Sequence, residues 1–261
     1  MTVLDEILVT KRAEVARLAE RAAAIEAEAA AAPPSDRDFA AALRRPDGRV
    51  AVIAEIKRKS PSKGPLAPGL DAAETAARYA TGGASALSVL TDGPYFDGSL
   101  ADLRAARAAV GLPVLRKDFT VDARDIADAR LMGADAVLLI VAALDDVELG
   151  SFLELAHRLG LAALVEVHDE RELDRAADAG ASIIGVNQRD LTTFEIDREL
   201  AAKLAPRMPD GAITVAESGI RDADDARAVV AAGYDAVLVG ESVVTSGDHA
   251  SAVAALAKVK R

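Results

Sequence analysis

Short apolar runs of five or six residues recur along most of the chain, at intervals of about 20 to 33 residues. Ala-rich amphipathic stretches such as DARDIADARLMG lie between them, and several end in glycine, the usual residue just beyond a helix. The runs are typical of buried strands, and their alternation with helical stretches is typical of βαβ units. The eight runs are AVIAEI (51–56), SALSVL (85–90), PVLRK (113–117), AVLLIV (136–141), ALVEV (163–167), SIIGVN (182–187), ITVAES (213–218) and AVLVG (236–240).

The number of strand–helix units indicates the fold class. Eight units favour an α/β protein built as a single (β/α)8 (TIM) barrel, which we place at residues 49–261. A doubly wound open sheet is the competing architecture, but no GxGxxG stretch follows the first run. The chain of 261 residues is long enough for one such barrel and its core.

The first 48 residues follow a different pattern. Apolar residues at helical spacing predict one long helix over residues 2–32, with a capping pair at Thr2 and Asp5. The Pro33–Pro34 pair ends this helix, and Ser35 can cap a second, short one. We therefore predict an N-terminal helical extension, residues 1–48, that packs on the barrel.

Composition and charge limit the classes of function. The net charge of −11 argues against nucleic acid or an anionic membrane surface as a partner, but a local lysine cluster can still bind a small anion. The chain has no cysteine, and this excludes disulfides, a thiolate metal site and a cysteine nucleophile. No apolar run reaches the roughly 18 residues of a membrane span, and the first residues mix both charge signs, unlike a signal peptide. We expect a cytoplasmic protein.

Polar residues stand at the carboxyl ends of five predicted strands, on one face of each. Ile53, Glu55 and Lys57 share a face of the first strand, because side chains alternate along a strand. A (β/α)8 barrel carries its active site at this end of its strands. A single charge there is more often part of a rim ion pair, but six such residues together favour a functional site. The six candidates are Glu55, Lys57, Lys117, Glu166, Asn187 and Glu217.

Two glycine-containing loops predict a phosphate site. Ser218 and Gly219 lie at the end of the seventh strand, and Gly240 at the end of the eighth. Loops after strands 7 and 8 commonly bind phosphate through backbone N–H groups. Either glycine alone is explained by a tight turn, but the two together indicate a phosphorylated substrate.

Several other polar residues are interpreted as structural. His157, His168 and His249 have no partner at metal-ligand spacing, so we interpret them as structural or surface residues and expect no metal site. Arg116 has the opposite parity to Lys117 and is predicted to face the helices. The loop RKSPSKG (58–64) is a candidate lid over the mouth of the barrel.

Over roughly residues 1–257, the chain resembles indole-3-glycerol-phosphate synthases. The stretches that carry the resemblance are VIAEIKRKSPSKG, LSVLTD with YFDGSL, PVLRKDF, GADAVLLIVAAL, ALVEVHDE, IIGVNQRDL, AESGI and AVLVGE. The resemblance implies that the substrate 1-(2-carboxyphenylamino)-1-deoxy-D-ribulose 5-phosphate closes to indole-3-glycerol phosphate, with loss of CO₂ and water and without a cofactor. This is a step of tryptophan biosynthesis.

The resemblance implies catalytic roles for four of the six residues. Lys117 gives a proton to the ketone oxygen as the ring carbon attacks, which meets the need for a donor where negative charge develops. Glu55 is implied as the carboxylate that stabilises the cationic ring before decarboxylation. Glu166 is implied as the base of the dehydration, with either Lys57 or Lys117 as the acid.

The resemblance also implies contacts with the sugar phosphate. Asn187, Glu217 and Ser218 would contact the hydroxyl groups and the phosphate. Gly219 and Gly240 would bind the phosphate through their backbone N–H groups.

The anthranilate half of the substrate has implied contacts of its own. Phe96 and Leu138 would form apolar walls around the ring, and Ser60 and Arg189 would lie near its carboxylate. Gln188 departs from the family pattern, which usually has a small polar residue between Asn187 and Arg189.

Two other functions stay open on the sequence. One is another phosphosugar-binding barrel enzyme, either an isomerase or an aldolase that forms a Schiff base on Lys117. The other is a catalytically dead barrel that serves as a binding module. For all of these, the expected partner is a small anionic phosphorylated molecule, and we expect a monomer or a weak homo-oligomer with no nucleic-acid or membrane partner.

Overall fold

The barrel consists of eight parallel strands in the order of the chain, and β1 pairs with β8 to close it. The computed structural model of the chain describes residues 2–16, 22–45 and 47–261. The predicted (β/α)8 fold is confirmed, and each strand begins and ends within one residue of its predicted position. The strands are β1 (Ala51–Ile56), β2 (Ala86–Leu90), β3 (Val114–Lys117), β4 (Ala136–Ile140), β5 (Ala162–Val167), β6 (Ile183–Asn187), β7 (Ile213–Glu217) and β8 (Ala236–Val239).

Helices surround the barrel, and most begin at an aspartate or serine cap. Asp71, Asp122 and Asp169 each accept a hydrogen bond from a backbone N–H in the first turn of the helix that follows. The first N–H groups of a helix have no carbonyl partner within the helix, and such caps supply an acceptor for them. The outer helices are α4 (Ala72–Thr81), α5 (Gly93–Phe96), α6 (Leu100–Ala109), α7 (Ala123–Met132), α8 (Asp146–Arg158), α9 (Glu170–Asp178), α10 (Leu200–Leu204), α11 (Ala223–Ala231), α12 (Glu241–Val244) and α13 (His249–Ala257).

The core has two apolar layers, which the strand alternation separates. In β4, Val137 and Leu139 pack outward against the helices, while Leu138 belongs to the cluster inside the barrel. The inner layer is made of Ala, Val, Leu and Ile and is closed at the amino-terminal end by Phe39 and Leu43. The inner faces predicted for β1, β3, β5, β6 and β7 are therefore the faces that the structure shows.

In the described part of the chain, three helices precede the barrel: α1 (Val3–Ala16), α2 (Ala22–Ala31) and α3 (Phe39–Leu43). The predicted single helix over residues 2–32 crosses residues 17–21, which lie outside the described residues. Helix α2 packs against α7, and α3 packs under β1 and β2. Among the described residues, no helix is long and apolar enough to cross a membrane.

Helix α1 lies at the carboxyl end of the barrel and carries a buried lysine. Lys11 Nζ lies 3.0 Å from Asp92 Oδ2 and 2.8 Å from Asp118 Oδ1. Asp118 directly follows Lys117, and Asp92 caps α5, which ends at Phe96. Although burial opposes its charge, Asp118 and Asp92 raise the pKa of Lys11 above its ordinary value. Lys11 thus anchors α1 to two loops at the barrel mouth.

Candidate active site

A cavity of about 450 Å³ opens at the carboxyl ends of the strands. Pockets of this size suit small-molecule ligands. Every site residue predicted from the sequence lines it. They are Glu55, Lys57, Ser60, Phe96, Lys117, Leu138, Glu166, Asn187, Arg189, Glu217, Ser218, Gly219 and Gly240.

Lys117 stands at the centre of a group of carboxylates. Its Nζ lies 3.0 Å from Glu166 Oε2 and 4.0 Å from Glu217 Oε2. Burial alone would lower the pKa of Lys117, but the charges of Glu166, Glu217 and Glu55 raise it above the ordinary value. Lys117 is therefore an ammonium group at neutral pH, and it can give a proton to a substrate atom.

The two carboxylates beside Lys117 differ in their acidity. Burial opposes the charge of Glu166, yet Lys117, His168 and a 3.1 Å hydrogen bond from Asn187 Nδ2 hold its pKa below the ordinary value. Burial, followed by the negative charge of Glu166, raises the pKa of Glu217 to about 8. Glu166 is thus the anion of the pair, and Glu217 holds a proton more tightly than Glu166 does.

Glu55 and Lys57 form a second ion pair on the neighbouring wall of the cavity. Their side chains hydrogen bond to each other at the end of β1. A β-carbon at Gly240 would overlap the Glu55 carboxylate, and one at Gly185 would overlap that of Glu217. Glycines on β6 and after β8 therefore provide the space that the two buried carboxylates occupy.

The predicted phosphate loop has an unusual backbone. Ser218 and Gly219 both have left-handed φ angles, of 62° and 76°. Gln188 Nε2 donates a 2.8 Å hydrogen bond to the Ser218 carbonyl, which holds the loop in this conformation. The opposite loop after β8 reaches the same region, where Ser242 Oγ donates to the Ile220 carbonyl at 3.0 Å. The buried Gln188 thus hydrogen bonds to the phosphate loop, a contact that the sequence did not predict.

Apolar residues and an arginine also line the cavity. Phe96 and Leu138 are the apolar ones, and Phe96 packs on Phe119 with ring centroids 6.2 Å apart. Arg189 Nη1 lies 3.4 Å from Ser62 Oγ, and Ser62 belongs to the loop after β1 that also contains Ser60. Arg189 Nη2 lies 3.7 Å from Glu241 Oε2, beside the loop after β8. The lining can therefore take a flat apolar group that carries an anion.

Of the histidines interpreted as structural or surface residues, His168 contacts a predicted site residue. Its ring lies against Glu166, whereas His157 is exposed on α8 and His249 packs on Tyr79. His168 lies two residues after Glu166 and has the same parity, but unlike Lys57 it does not line the cavity. Arg116 bonds to the carbonyl of Asp125 on α7, outside the barrel, as its parity predicts. Within the described ranges, no cluster of three or more His, Asp or Glu residues could hold a metal ion.

Two kinds of comparison with known proteins are informative: sequence relatives identify the family, and solved structures identify the fold. The family model described as indole-3-glycerol phosphate synthase matches residues 4–256. The protein of that name from Mycobacteroides abscessus is 55% identical over 256 residues, covering 98% of this chain and 93% of the relative. The one from Rhodococcus jostii is 54% identical over 260 residues, covering 98% and 95%.

Solved structures with low identity share the barrel. A thiamine phosphate pyrophosphorylase from Pyrococcus furiosus has a TM-score of 0.59 at 19% identity, covering 79% of this chain and 93% of its own. A 3-hexulose-6-phosphate synthase has a TM-score of 0.62 at 18% identity, covering 79% and 98%. These two support the fold alone, whereas the family match spans nearly the whole sequence. The chain belongs to the indole-3-glycerol phosphate synthase family.

Proposed function

We propose that this chain is a carboxy-lyase that converts 1-(2-carboxyphenylamino)-1-deoxy-D-ribulose 5-phosphate to indole-3-glycerol phosphate, CO₂ and water. The observation that carries the proposal is Lys117, a buried ammonium group held 3.0 Å from Glu166 in the cavity of a chain from this family. The substrate has a flat anionic ring at one end and a phosphate at the other, and the lining of the cavity includes apolar, cationic and glycine-loop residues that suit these groups.

The ring closure needs an acid beside the ketone. The ring carbon that bears the carboxylate bonds to the ketone carbon, the C=O π electrons move to oxygen, and Lys117 supplies the proton. The ring system is cationic at this stage, and the Glu55 carboxylate stabilises it. Loss of CO₂ then returns the electron pair of the broken C–C bond to the ring.

Dehydration completes the reaction. A hydroxyl group leaves as water after it takes a proton from Lys57 or Lys117, and Glu166 removes a proton from the substrate. Glu166 suits the role of base because Lys117 and Asn187 hold it as an oriented anion.

We assign the binding residues to the two halves of the substrate. We assign the phosphate to the backbone around Ser218, Gly219 and Gly240, and the sugar hydroxyl groups to Asn187 and Glu217. In the same scheme Phe96 and Leu138 enclose the aromatic ring, and Ser60 and Arg189 bind its carboxylate. All of these residues line one cavity, which supports a single substrate that spans it.

The chain contains no tryptophan, so indole fluorescence that appears on mixing with the substrate reports product directly. We expect Lys117→Ala to form no product and still to bind inorganic phosphate. Lys258→Ala is the matched control because Lys258 is exposed at the end of α13. Undiminished turnover by Lys117→Ala would refute the mechanism.

A Schiff-base aldolase is the alternative that the same lysine suggests. It needs a neutral amine as nucleophile, but the surrounding carboxylates keep Lys117 protonated. Borohydride treatment in the presence of substrate distinguishes the two, since it traps a lysine adduct only if a Schiff base forms. We expect no adduct.

A further inference from the structure

The ring of His168 lies between two carboxylates. Its Nε2 is 3.3 Å from Glu166 Oε1, and its Nδ1 is 3.0 Å from Glu172 Oε2. Glu172 lies on α9 and also accepts the backbone N–H of His168 at 2.8 Å, so its position is fixed. The His168 side chain is 13% exposed and does not line the cavity. His168 thus supports Glu166 from the side away from the substrate.

The two carboxylates define the protonation state of the ring. A neutral imidazole has one N–H and one lone pair, so one nitrogen would face a carboxylate oxygen without a proton between them. The imidazolium form has an N–H on each nitrogen, so that Nδ1 can donate to Glu172 and the positive charge lies within ion-pair distance of Glu166. The charged groups that face the ring are Glu166 from β5, Glu172 from α9 and Asp190 from the loop after β6. Although burial opposes the charge, Glu166 and Glu172 raise the pKa of His168 to about 10.

Glu166 therefore has two cationic neighbours, Lys117 beside Oε2 and His168 beside Oε1. Lys117 lies on the substrate side and, in the proposed mechanism, gives its proton away. At that moment Glu166 would be a buried anion without a counter-charge, which is costly and raises the affinity of the carboxylate for a proton. A cation that takes no part in the proton transfer avoids this.

We propose that His168 is a positioning residue: a fixed imidazolium that keeps Glu166 ionised and oriented while Lys117 transfers its proton to the substrate. The inference rests on the proposed function for the identity of the reaction. The charge state of His168 can be measured without turnover, so the two proposals can fail separately.

The first test is the protonation state of the ring in the unliganded protein. The chain has three histidines, so the imidazole ¹⁵N signals are few, and the signal lost in His168→Gln identifies His168. We expect both ring nitrogens of His168 to carry protons at pH 7.5. A neutral ring at that pH overturns the proposal, whether or not the chain forms indole-3-glycerol phosphate.

The second test is the effect of removing the charge. In His168→Gln we expect kcat to fall about tenfold or more and the acidic limb of the pH–kcat profile to move up by about one pH unit, because a nearby opposite charge typically shifts a carboxyl pKa by one to three units. The inhibition constant of inorganic phosphate should stay within about twofold, since the phosphate loop is not touched. His157→Gln, on the exposed face of α8, is the matched control and should behave like the wild type.

A merely structural histidine would give a different result. It would lower the melting temperature and leave the acidic limb in place, and that outcome overturns the proposal. If His168→Gln does not fold, Glu172→Gln replaces it. Loss of the Glu172 carboxylate makes the protonated form of His168 less stable, so the acidic limb of the pH–kcat profile should move in the same direction by a smaller amount. An unmoved limb in a folded Glu172→Gln variant counts against the proposal.

Discussion

Gly185 lies under the Glu217 carboxylate, on the inner face of β6, where one added methyl group would disturb the active site. A β-carbon at this position would overlap Glu217 Oε1 and lie 3.2 Å from Leu164 Cδ1. Glu217 is only 2% exposed, so it has little free space into which to move. The methyl group in Gly185→Ala therefore displaces the carboxylate toward the cavity, the open side.

The expected magnitude follows from the overlap. Relief of a clash with a buried carboxylate needs a displacement of about 1 Å, and a misplacement of that size costs about 100-fold in rate. Overpacking a core position typically costs about 1–3 kcal/mol of stability. We therefore expect Gly185→Ala to lose about 100-fold in kcat/KM and about 1–3 kcal/mol in the free energy of unfolding.

The assay is the continuous rise of indole fluorescence, with urea unfolding measured in parallel. Gly150→Ala is the matched control because Gly150 lies within α8 and a β-carbon there meets no atom within 4 Å. It should stabilise the helix by about 0.5–1 kcal/mol and leave kcat/KM unchanged. Adding Glu217→Asp to Gly185→Ala shortens the acid by one methylene group and should recover part of the activity. Activity of Gly185→Ala within about threefold of the wild type would refute the reasoning, since a displaced carboxylate would then be harmless.

Three further predictions concern other parts of the site. Gln188→Met keeps the side-chain volume but removes the hydrogen bond to the Ser218 carbonyl. The inhibition constant of inorganic phosphate should then rise about two- to tenfold with kcat nearly unchanged, as one hydrogen bond is worth about 0.5–1.5 kcal/mol. Equal phosphate affinity of variant and wild type would contradict this. Lys11→Met leaves Asp92 as a buried carboxylate without a cation. Urea unfolding should then show that the free energy of unfolding falls by about 3 kcal/mol. A decrease below about 1 kcal/mol would contradict a buried ion pair. Because burial and Glu166 raise the folded-state pKa of Glu217 to about 8, its contribution to stability is complete below its ordinary pKa and disappears as pH rises through about 8. The free energy of unfolding of Glu217→Gln, measured relative to the wild type, should therefore increase between pH 6 and pH 9, and a constant difference would count against the shift.

The repeated strands and their inner faces can be predicted from the sequence because both follow from local patterns. The β-branched runs mark β1 to β8, and the period of two then decides which residues face inward. The same two patterns identify Glu55, Lys117, Glu166 and Glu217, since the carboxyl ends of parallel barrel strands must meet. The phosphate loop follows from the same topology.

Two residues whose roles the sequence does not reveal make their contacts with elements that are distant along the chain. Lys11 looks like an ordinary charged residue of an amphipathic helix, and only the packing of α1 on Asp92 and Asp118 buries it. Gln188 departs from the family pattern, but its contact with the Ser218 carbonyl depends on the neighbouring strand. His168 is a different case, because its carboxylate partner Glu166 is only two residues away; the lack of metal-ligand spacing alone favours a structural interpretation.

The described N-terminal helices contact parts of the chain that are synthesised much later. Arg44 Nη2, at the end of α3, donates a 2.9 Å hydrogen bond to the Gly211 carbonyl, and Lys11 pairs with Asp118. The backbone N–H of Arg261 donates at 2.8 Å to the carbonyl of Gly48. Contacts so far apart in sequence form only after long loops close, and this slows their formation. We therefore expect these helices to dock late although they are synthesised before the barrel, and a nascent chain ending before Gly211 would leave Arg44 without that carbonyl.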